Sequence, residues 1–234
     1  MSKVLVHYAE IGLKGGNLGI FENQLIKNIK IALKNPSLQI IKAQKQIVIS
    51  GKKINLAQLT TVFGIAWFAP VTMVANDQSA IAAAALKISK PRKTFAVRAH
   101  HNLEVALGDI IRTRKKIKVD LSYPQQTIYV KEFNNKALIF NQKIPGPGGL
   151  PVGTSGKVLC LLSGGFDSIA AAYLLAKRGA RVDFLHFHVF PDGKKVLASK
   201  IMEIIKKLTT LTLSRKLFLA SYIPFQMKVL DLDH

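Results

Sequence analysis

The spacing of hydrophobic and polar positions over the first 75 residues predicts a β-α-β-β-α-β unit. Apolar residues recur every three to four positions after Phe21, which is typical of an amphipathic helix, and Asn35-Pro36 ends it. Strands are predicted at 3–8, 38–43, 46–50 and 67–74, and helices at 21–33 and 55–63. This order is that of a ferredoxin-like domain.

A second α/β module is predicted from Asn76 onward. A helix starts with Ser79 as its N-cap and runs through an alanine-rich stretch, which has a high helix propensity. The remaining predicted elements are a strand at 94–99, a helix within 104–116, and strands at 118–121, 127–131 and 137–140.

Residues 144–157 hold three prolines and five glycines, which predicts a linker. Its Gly156-Lys157 is not part of a Walker A motif, because Pro151 and Val158 stand where that motif needs Gly and Ser or Thr. A continuous apolar run at 158–162 then predicts a parallel strand buried on both faces. A loop, a helix at 169–178 and a strand at 181–189 complete a β-loop-α-β unit.

The charge and composition of the chain restrict the classes of function that it can have. The chain has 34 Lys and Arg against 13 Asp and Glu, a formal net charge of +21, which favours a polyanionic partner. Hydrophobic residues make up 49%, so the chain is not a disordered basic tail. The charge is spread as +7, +8 and +6 over residues 1–75, 76–144 and 145–234, and its densest run is Arg112, Arg114, Lys115 and Lys116.

Other compositional signals concern compartment and cysteine chemistry. The longest apolar stretch, 61–75, is too short to span a membrane, and the N-terminal residues do not form a signal peptide. We therefore expect a cytoplasmic protein without a membrane partner. The single cysteine, Cys160, excludes an internal disulfide framework, and its apolar strand predicts that it is a buried small hydrophobe. Trp67 and Phe68 are expected in the core.

The loop Ser163–Ser168, with sequence SGGFDS, carries the candidate chemistry. Gly164 and Gly165 allow close approach of a ligand to the backbone, and the following helix N-terminus offers N–H groups to phosphates. Ser163 and Ser168 add hydroxyl donors. Asp167 beside a phosphate needs Mg²⁺ between them, so we expect an indirect metal ligand. The alternative is an ordinary strand-to-helix turn in which Asp167 or Ser168 is the N-cap.

This loop resembles the PP-loop of ATP pyrophosphatases, and three blocks of the chain resemble the ThiI family of tRNA 4-thiouridine synthetases. The blocks are the loop at 8–17, the segment from Thr94 to Val130, which is similar to a THUMP domain, and the linker with its PP-loop. The resemblance implies a multidomain α/β and α+β fold. The implied domains are a ferredoxin-like domain at 1–75 and a THUMP domain at 76–144, for which a family profile is expected to start near 55. Residues 145–234 are the linker and part of a PP-loop domain, which has the parallel sheet of adenine nucleotide α hydrolases.

The resemblance also implies a reaction. ThiI-like enzymes adenylate O4 of uridine 8 in tRNA, and a persulfide sulfur then displaces AMP to give 4-thiouridine; many relatives also supply sulfur for the thiamine thiazole. ATP and Mg²⁺ are the implied cofactors, with Mg²⁺ held through ATP near Asp167, the implied catalytic residue. The implied ATP-binding residues are Leu161, Leu162, Ser163, Gly164, Gly165, Asp167, Ser168, His186 and Phe187.

tRNA and a persulfide-donating cysteine desulfurase are the implied partners, and a homodimer is expected by analogy. The candidate RNA-binding residues are Lys14, Arg98, Arg112, Arg114, Lys115 and Lys116. The resemblance further implies that the PP-loop domain continues beyond His234 and that the family's catalytic cysteine lies in that later part.

Two other functions remain open from the sequence. A non-catalytic THUMP-type tRNA-binding protein would need only the first two predicted domains. A PP-loop amidotransferase or ligase for a small molecule is the third interpretation, which the charge of the first two domains argues against.

Overall fold

The structure is a computed structural model that describes residues 1–8, 15–43, 46–214 and 216–230, without the side chains of Gly15 and His101. Two compact units are present. The first contains Met1–Tyr8, Ser37–Asn55 and Trp67–Pro145, and the second contains Ala9–Pro36, Leu56–Ala66 and Gly146–His234. Lys14 and most of the predicted N-terminal loop lie outside the described residues.

The N-terminal elements follow the predicted order. They are β1 (Ser2–His7), α1 (Leu18–Ala32), β2 (Gln39–Ala43), β3 (Gln46–Gly51), α2 (Leu56–Leu59) and β4 (Trp67–Pro70). The strands pair antiparallel in the order β2-β3-β1-β4, which confirms the ferredoxin-like topology. Helix α2 is shorter than predicted, because the amides of Thr61 and Val62 reach back three residues, in turns, rather than four.

The prediction of one continuous strand at 67–74 is wrong. Strand β4 pairs with β1, whereas the next strand, β5 (Thr72–Ala75), belongs to a second sheet. Pro70 has no N–H to donate, and the chain leaves the first sheet after the Val71 amide bonds to the Lys3 carbonyl. The predicted linker also begins as a strand, since β9 (Ile144–Pro145) pairs with β4.

The second sheet confirms a small α/β module. After β5 come α3 (Gln78–Ile88), β6 (Phe95–Arg98), α4 (His101–Lys115), β7 (Gln126–Phe133) and β8 (Lys136–Phe140), with strand order β5-β8-β7-β6. The two helices bury their apolar faces on this sheet. The core includes Ile81, Ala85, Phe95, Leu107, Ile111 and Ile128.

Two local predictions in this module are wrong. Asp77, not Ser79, is the N-cap of α3; its carboxylate accepts hydrogen bonds from the Ala80 amide and from the Ser79 hydroxyl. The predicted strand at 118–121 is reduced to one bridge between Phe95 and Val119. The Asp120 carboxylate accepts the amides of residues 122 and 123, which turns the chain away from the sheet.

The last elements of the chain form a parallel α/β sheet. They are β10 (Lys157–Leu161), α5 (Phe166–Lys177), β11 (Arg181–His188), α6 (Lys194–Leu197), α7 (Lys200–Thr212), β12 (Leu217–Ser221) and α8 (Ile223–Leu230). The strand order is β10-β11-β12, and the two crossovers, through α5 and through α6 and α7, advance in the same direction on the same face of the sheet. Helices α5 and α7 share one core with that face.

The prediction that the first parallel strand is buried on both faces is therefore wrong. Cys160 is buried on the helix side, but Leu159 is 55% exposed and Leu161 is 60% exposed on the opposite side. Both crossovers use the same face of the sheet. Among the described residues, no crossover helix therefore covers the opposite face, on which Leu159 and Leu161 lie.

Residues 146–156 are packed against their own unit rather than forming a free linker. The amides of Gly148, Leu150 and Gly153 donate to the carbonyls of Ile65, Lys177 and Gly179. At Gly149, which has φ +74°, a Cβ would collide with the Lys177 carbonyl oxygen. The glycines thus let this segment lie directly on the end of α5.

Candidate functional site

The loop between β10 and α5 is ordered by its own serines. The Ser168 hydroxyl donates to the Gly165 carbonyl at 2.9 Å, and the Ser163 hydroxyl donates to the Ser168 oxygen at 3.4 Å while accepting the Gly165 amide at 3.3 Å. Gly164 has φ +88°, a conformation that other residues adopt only with strain. The sequence therefore builds a tight turn directly at the carboxyl end of a parallel strand, where open α/β sheets bind ligands.

Helix α5 begins three residues earlier than predicted and has no side-chain cap. Its N-cap is Gly165, and neither Asp167 nor Ser168 caps it, so the alternative of an ordinary capped turn is wrong. The first N–H groups of the helix therefore point toward the loop without a side-chain acceptor, which is the arrangement of an anion site. A Cβ at Gly165 would meet only the Ser163 hydroxyl, at 3.5 Å, so the space in front of the helix is open.

Asp167 lies in the first turn of α5 and is exposed. Asp167 thus carries its negative charge in the same helical turn whose N–H groups are uncapped. A hydrated divalent cation between this carboxylate and a bound phosphate would satisfy both negative groups. The geometry fits the predicted indirect role, and Asp167 stays a predicted catalytic residue.

Two of the predicted nucleotide-binding residues are joined by a hydrogen bond. His186 Nδ1 lies 2.7 Å from the carbonyl oxygen of Leu162, and the Leu162 amide donates to the Leu185 carbonyl at 2.8 Å. Leu162 is buried, whereas Leu161 and Phe187 are exposed on the face opposite the helices. The structure thus brings His186 to the loop and leaves Leu161 and Phe187 as an apolar surface on the other face of the same strand ends.

Cys160 is buried, as the sequence predicts. It is 7% exposed, and its thiol faces the carbonyls of Leu161 and Ser168 at 3.8 and 3.7 Å. Burial raises the pKa of the Cys160 thiol above its ordinary value. It therefore supports the loop as a hydrophobic residue and lacks the environment of a reactive thiolate.

The candidate RNA-binding residues of the first unit lie at two places. Arg112, Arg114, Lys115 and Lys116 form the last turn and C-cap of α4. Arg112 makes an exposed ion pair with Asp109 at 3.1 Å, and such pairs contribute little to stability. Arg98 ends β6, where its guanidinium donates to the Leu121 carbonyl at 2.9 Å.

Arg98 also borders an open cleft of about 560 Å³, which Tyr129, Lys131 and Lys143 line as well. These three residues belong to a cluster that was not predicted from the sequence. We call it the aromatic-lysine cluster; it consists of His7, Trp67, Tyr129, Lys131, Phe140 and Lys143. His7 stacks on Trp67 with ring centroids 4.8 Å apart. The Lys143 ammonium lies 4.2 Å from the Tyr129 ring centroid and 5.0 Å from that of Trp67.

Two charged lysines on aromatic rings make this cluster suited to nucleic acid. The Lys131 ammonium lies 5.4 Å from the Trp67 ring, and burial together with the neighbouring Lys143 lowers the pKa of Lys131. A phosphate would relieve this repulsion, and aromatic faces offer stacking to bases. Trp67 is only half-buried, whereas Phe68 is in the core as expected. The alternation of Tyr129 and Lys131 along β7 is the feature of the sequence from which this cluster could have been predicted.

No helix among the described residues is long and apolar enough to cross a membrane.

Comparisons with known proteins point to one family. Residues 3–69 match the ThiI ferredoxin-like domain, and residues 153–232 match the family model described as thiamine biosynthesis protein (ThiI). A probable tRNA sulfurtransferase of Mycoplasmopsis synoviae is 37% identical over 95% of this chain and 63% of its own length. One of Alkaliphilus oremlandii is 32% identical over 97% of this chain and 63% of its own length.

A solved 4-thiouridine synthetase, in complex with RNA and with bound ATP, superposes with a TM-score of 0.82 at 27% identity, covering 98% of this chain and 64% of that one. This chain spans about 63% of the length of the two sulfurtransferases that it matches. Two family models in the expected order, one of them spanning the uncapped glycine loop, establish that this chain belongs to the ThiI family.

Proposed function

We propose that this chain is the RNA-binding and nucleotide-binding part of a tRNA sulfurtransferase that converts uridine 8 of tRNA to 4-thiouridine. The observation that carries the proposal is the uncapped N-terminus of α5 behind Gly164 and Gly165, in a segment that matches the ThiI model. A related structure of similar fold contains RNA and ATP.

ATP would bind with its phosphates against this loop. The backbone N–H groups of α5 and the hydroxyls of Ser163 and Ser168 would hold the phosphate oxygens. Asp167 would hold Mg²⁺ through water. On the strand side, the ring of His186, the backbone of Leu162 and the exposed side chains of Leu161 and Phe187 would contact the adenosine. Mg²⁺ would neutralise phosphate charge as the α-phosphorus reacts.

The reaction would run in two substitutions. Uridine O4 bonds to the α-phosphorus of ATP and pyrophosphate leaves; the terminal sulfur of a persulfide then bonds to C4 and AMP leaves with the former O4. A second thiol then bonds to the carrier sulfur, so that the S–S bond breaks, 4-thiouridine is released and the two thiols end as a disulfide. The role of this chain in both is to hold ATP and the RNA in register, since an error of about 1 Å costs on the order of a hundredfold in rate. A cysteine desulfurase would supply the sulfur, and the same sulfur supply would serve thiazole synthesis.

RNA would bind across the first unit. The α4 residues Arg112, Arg114, Lys115 and Lys116 would contact phosphates there, and Arg98 with the aromatic-lysine cluster would hold unpaired nucleotides. The predicted Lys14, which belongs to the second unit, would contact a further phosphate. We propose the predicted domain boundaries of 1–75, 76–144 and 145–234 for these roles. A cytoplasmic homodimer would carry them.

One observation favours a second candidate, a non-catalytic tRNA-binding protein. The single cysteine among the 234 residues is buried, so this chain by itself offers no accessible sulfur carrier. In that case tRNA would bind normally and ATP would not.

Calorimetry with ATP and Mg²⁺ separates the two candidates. We expect wild-type protein to bind ATP, and Asp167→Asn to lose at least tenfold in affinity in Mg²⁺ but much less in its absence. Glu203→Gln on α7 removes the same charge from an exposed first turn and should leave ATP affinity unchanged. Binding of tRNA without any binding of ATP would favour the non-catalytic candidate.

A further inference from the structure

A cavity of about 220 Å³ lies at the end of the parallel sheet where its strands begin, opposite to the end that carries Ser163. Lys157 and Arg181 are the first residues of β10 and β11 and pair with each other in the sheet. Lys216 immediately precedes β12. Three neighbouring strands thus each bring a cation to the cavity.

Helix α1 forms the opposite wall through polar contacts of its own. Asn28 is 2% exposed; its amide donates to the Val152 carbonyl at 3.0 Å and its oxygen accepts the Gln24 amide at 2.9 Å. Gly153 has φ +99°, and a Cβ there would lie 3.5 Å from the Arg181 guanidinium. These contacts hold α1 in place as a wall of the cavity, and Lys27 on the same helix also lines it.

The cavity is strongly electropositive. Lys27, Lys157, Arg181 and Lys216 face it with a single carboxylate, Asp183. None of these five residues forms an ion pair within the described part of the chain. Like charges gathered in this way repel one another unless an anion enters between them. At about 30 Å³ per water, the volume holds about seven waters, which is room for a phosphate group and its hydration.

We infer that this basic pocket, defined by Lys27, Lys157, Arg181 and Lys216, binds a phosphate of an RNA backbone. The apolar side chains that line it are Ile31, Val152 and Leu213, so no aromatic ring is present among the described lining residues to stack a base. Such a site positions a phosphodiester rather than reading a nucleotide. The strong positive charge of the chain makes RNA a better source of this phosphate than a free anion.

The pocket is separate from the proposed ATP site. The five residues of β10 lie between them, which amounts to about 16 Å at about 3.3 Å per residue. The inference rests on the RNA-binding part of the proposed function and adds an RNA phosphate contact beside the parallel sheet, whose other proposed ligand is ATP.

The test measures the anisotropy of fluorescently labelled tRNA as a function of salt, with calorimetry of ATP in parallel. Arg181→Gln and Lys216→Gln should each weaken tRNA binding threefold to tenfold at 0.1 M salt. Each should lower the slope of log K against log salt by about 0.7 to 0.9, the contribution of one phosphate contact. The affinity for ATP should stay within twofold. Lys194→Gln combined with Lys195→Gln, on exposed α6, is the matched control and should change the slope less than either variant.

Inorganic phosphate at constant ionic strength provides the second arm. An RNA site predicts that 10 mM phosphate lowers tRNA affinity less than twofold, whereas tight binding of free phosphate that blocks tRNA would overturn the assignment to RNA. Wild-type slopes in both pocket variants, with tRNA still bound by the wild type, would overturn the pocket itself. If wild-type protein binds no tRNA, the RNA part of the proposed function has failed first. Thermal unfolding of each variant shows whether it is folded.

Discussion

The imidazole of His186 lies 2.7 Å from the carbonyl oxygen of Leu162, so the loop at the end of β10 is tied to the neighbouring strand. A carbonyl oxygen only accepts hydrogen bonds, and Nδ1 of His186 therefore carries the proton. In the neutral ring, Nε2 is then an acceptor. The hydrogen bond to Leu162 thus fixes the polarity of the His186 ring, which would present Nε2 as a hydrogen-bond acceptor to a bound base.

Replacing His186 by Phe should test that polarity. The ring remains but the hydrogen bond to Leu162 is lost, so we expect ATP affinity to fall about tenfold and the free energy of unfolding to fall by about 1 kcal/mol. Calorimetry and urea unfolding measure the two effects. His188→Phe is the matched control, because His188 is buried two residues along the same strand and its Nδ1 has no hydrogen-bond partner within the described residues. An ATP affinity that falls equally in both variants would remove His186 from the site.

Gly165 allows stability and ATP binding to be separated. Gly165→Ser adds a Cβ that fits and a hydroxyl that can cap α5, so we expect the free energy of unfolding to hold or rise by up to about 1 kcal/mol. The same hydroxyl would occupy the N–H groups that phosphate needs, so ATP affinity should fall at least tenfold. Gly164→Ala, with φ +88°, should instead lose about 1 to 2 kcal/mol of stability as well as ATP binding. Unchanged ATP affinity in Gly165→Ser would mean that phosphates do not bind at this helix.

The sequence predicts the order of elements well because each is a local pattern, and it predicts the glycine turn because its residues are contiguous. It fails where the answer depends on distant partners. The exposure of Leu161 follows from two crossovers on the same face, which no local pattern reveals. The pairing of Trp67 with Lys143 joins residues 76 positions apart. Asp77 and Ser79 are both good N-cap residues, and only the structure shows that the carboxylate takes the Ala80 amide.

Charge reversal at the C-terminal turn of α4 should weaken RNA binding. Arg112→Glu, Arg114→Glu, Lys115→Glu and Lys116→Glu combined should lower the slope of log K against log salt by about 1 to 3, because fewer phosphates release counterions. Filter binding at several salt concentrations measures the slope. Lys206→Glu combined with Lys207→Glu on the exposed face of α7 is the control for net charge, compared with Arg114→Glu combined with Lys116→Glu, which changes the net charge by the same amount. A slope that changes equally in both would mean that α4 is an ordinary solvated surface.

His7 should make stability depend on pH. Burial, with smaller contributions from Lys131 and Lys143, lowers the pKa of His7 below 6.5. Between this lowered pKa and 6.5 the unfolded chain binds more protons than the folded one, so the free energy of unfolding should rise with pH in that window and be reduced below it. His7→Phe keeps a ring against Trp67 and removes the titration. Urea unfolding from pH 5 to 8 should therefore give a flatter profile for this variant, and parallel profiles would contradict the assignment to His7.

Cys160 should not carry sulfur. Its thiol is 7% exposed and burial raises its pKa, so at pH 7 it should react with iodoacetamide far more slowly than a free thiol and become fully reactive only on unfolding in urea. Unmodified tRNA incubated with this chain, ATP, Mg²⁺ and a persulfide source should yield no 4-thiouridine, because sulfur transfer needs an exposed thiolate and Cys160 is the sole cysteine of the 234 residues. Cys160→Ser should bind ATP and tRNA like the wild type, since the smaller hydroxyl can take the place of Sγ near the Ser168 carbonyl. Formation of 4-thiouridine by the wild type that disappears in Cys160→Ser would mean that the strand opens to expose this thiol during turnover.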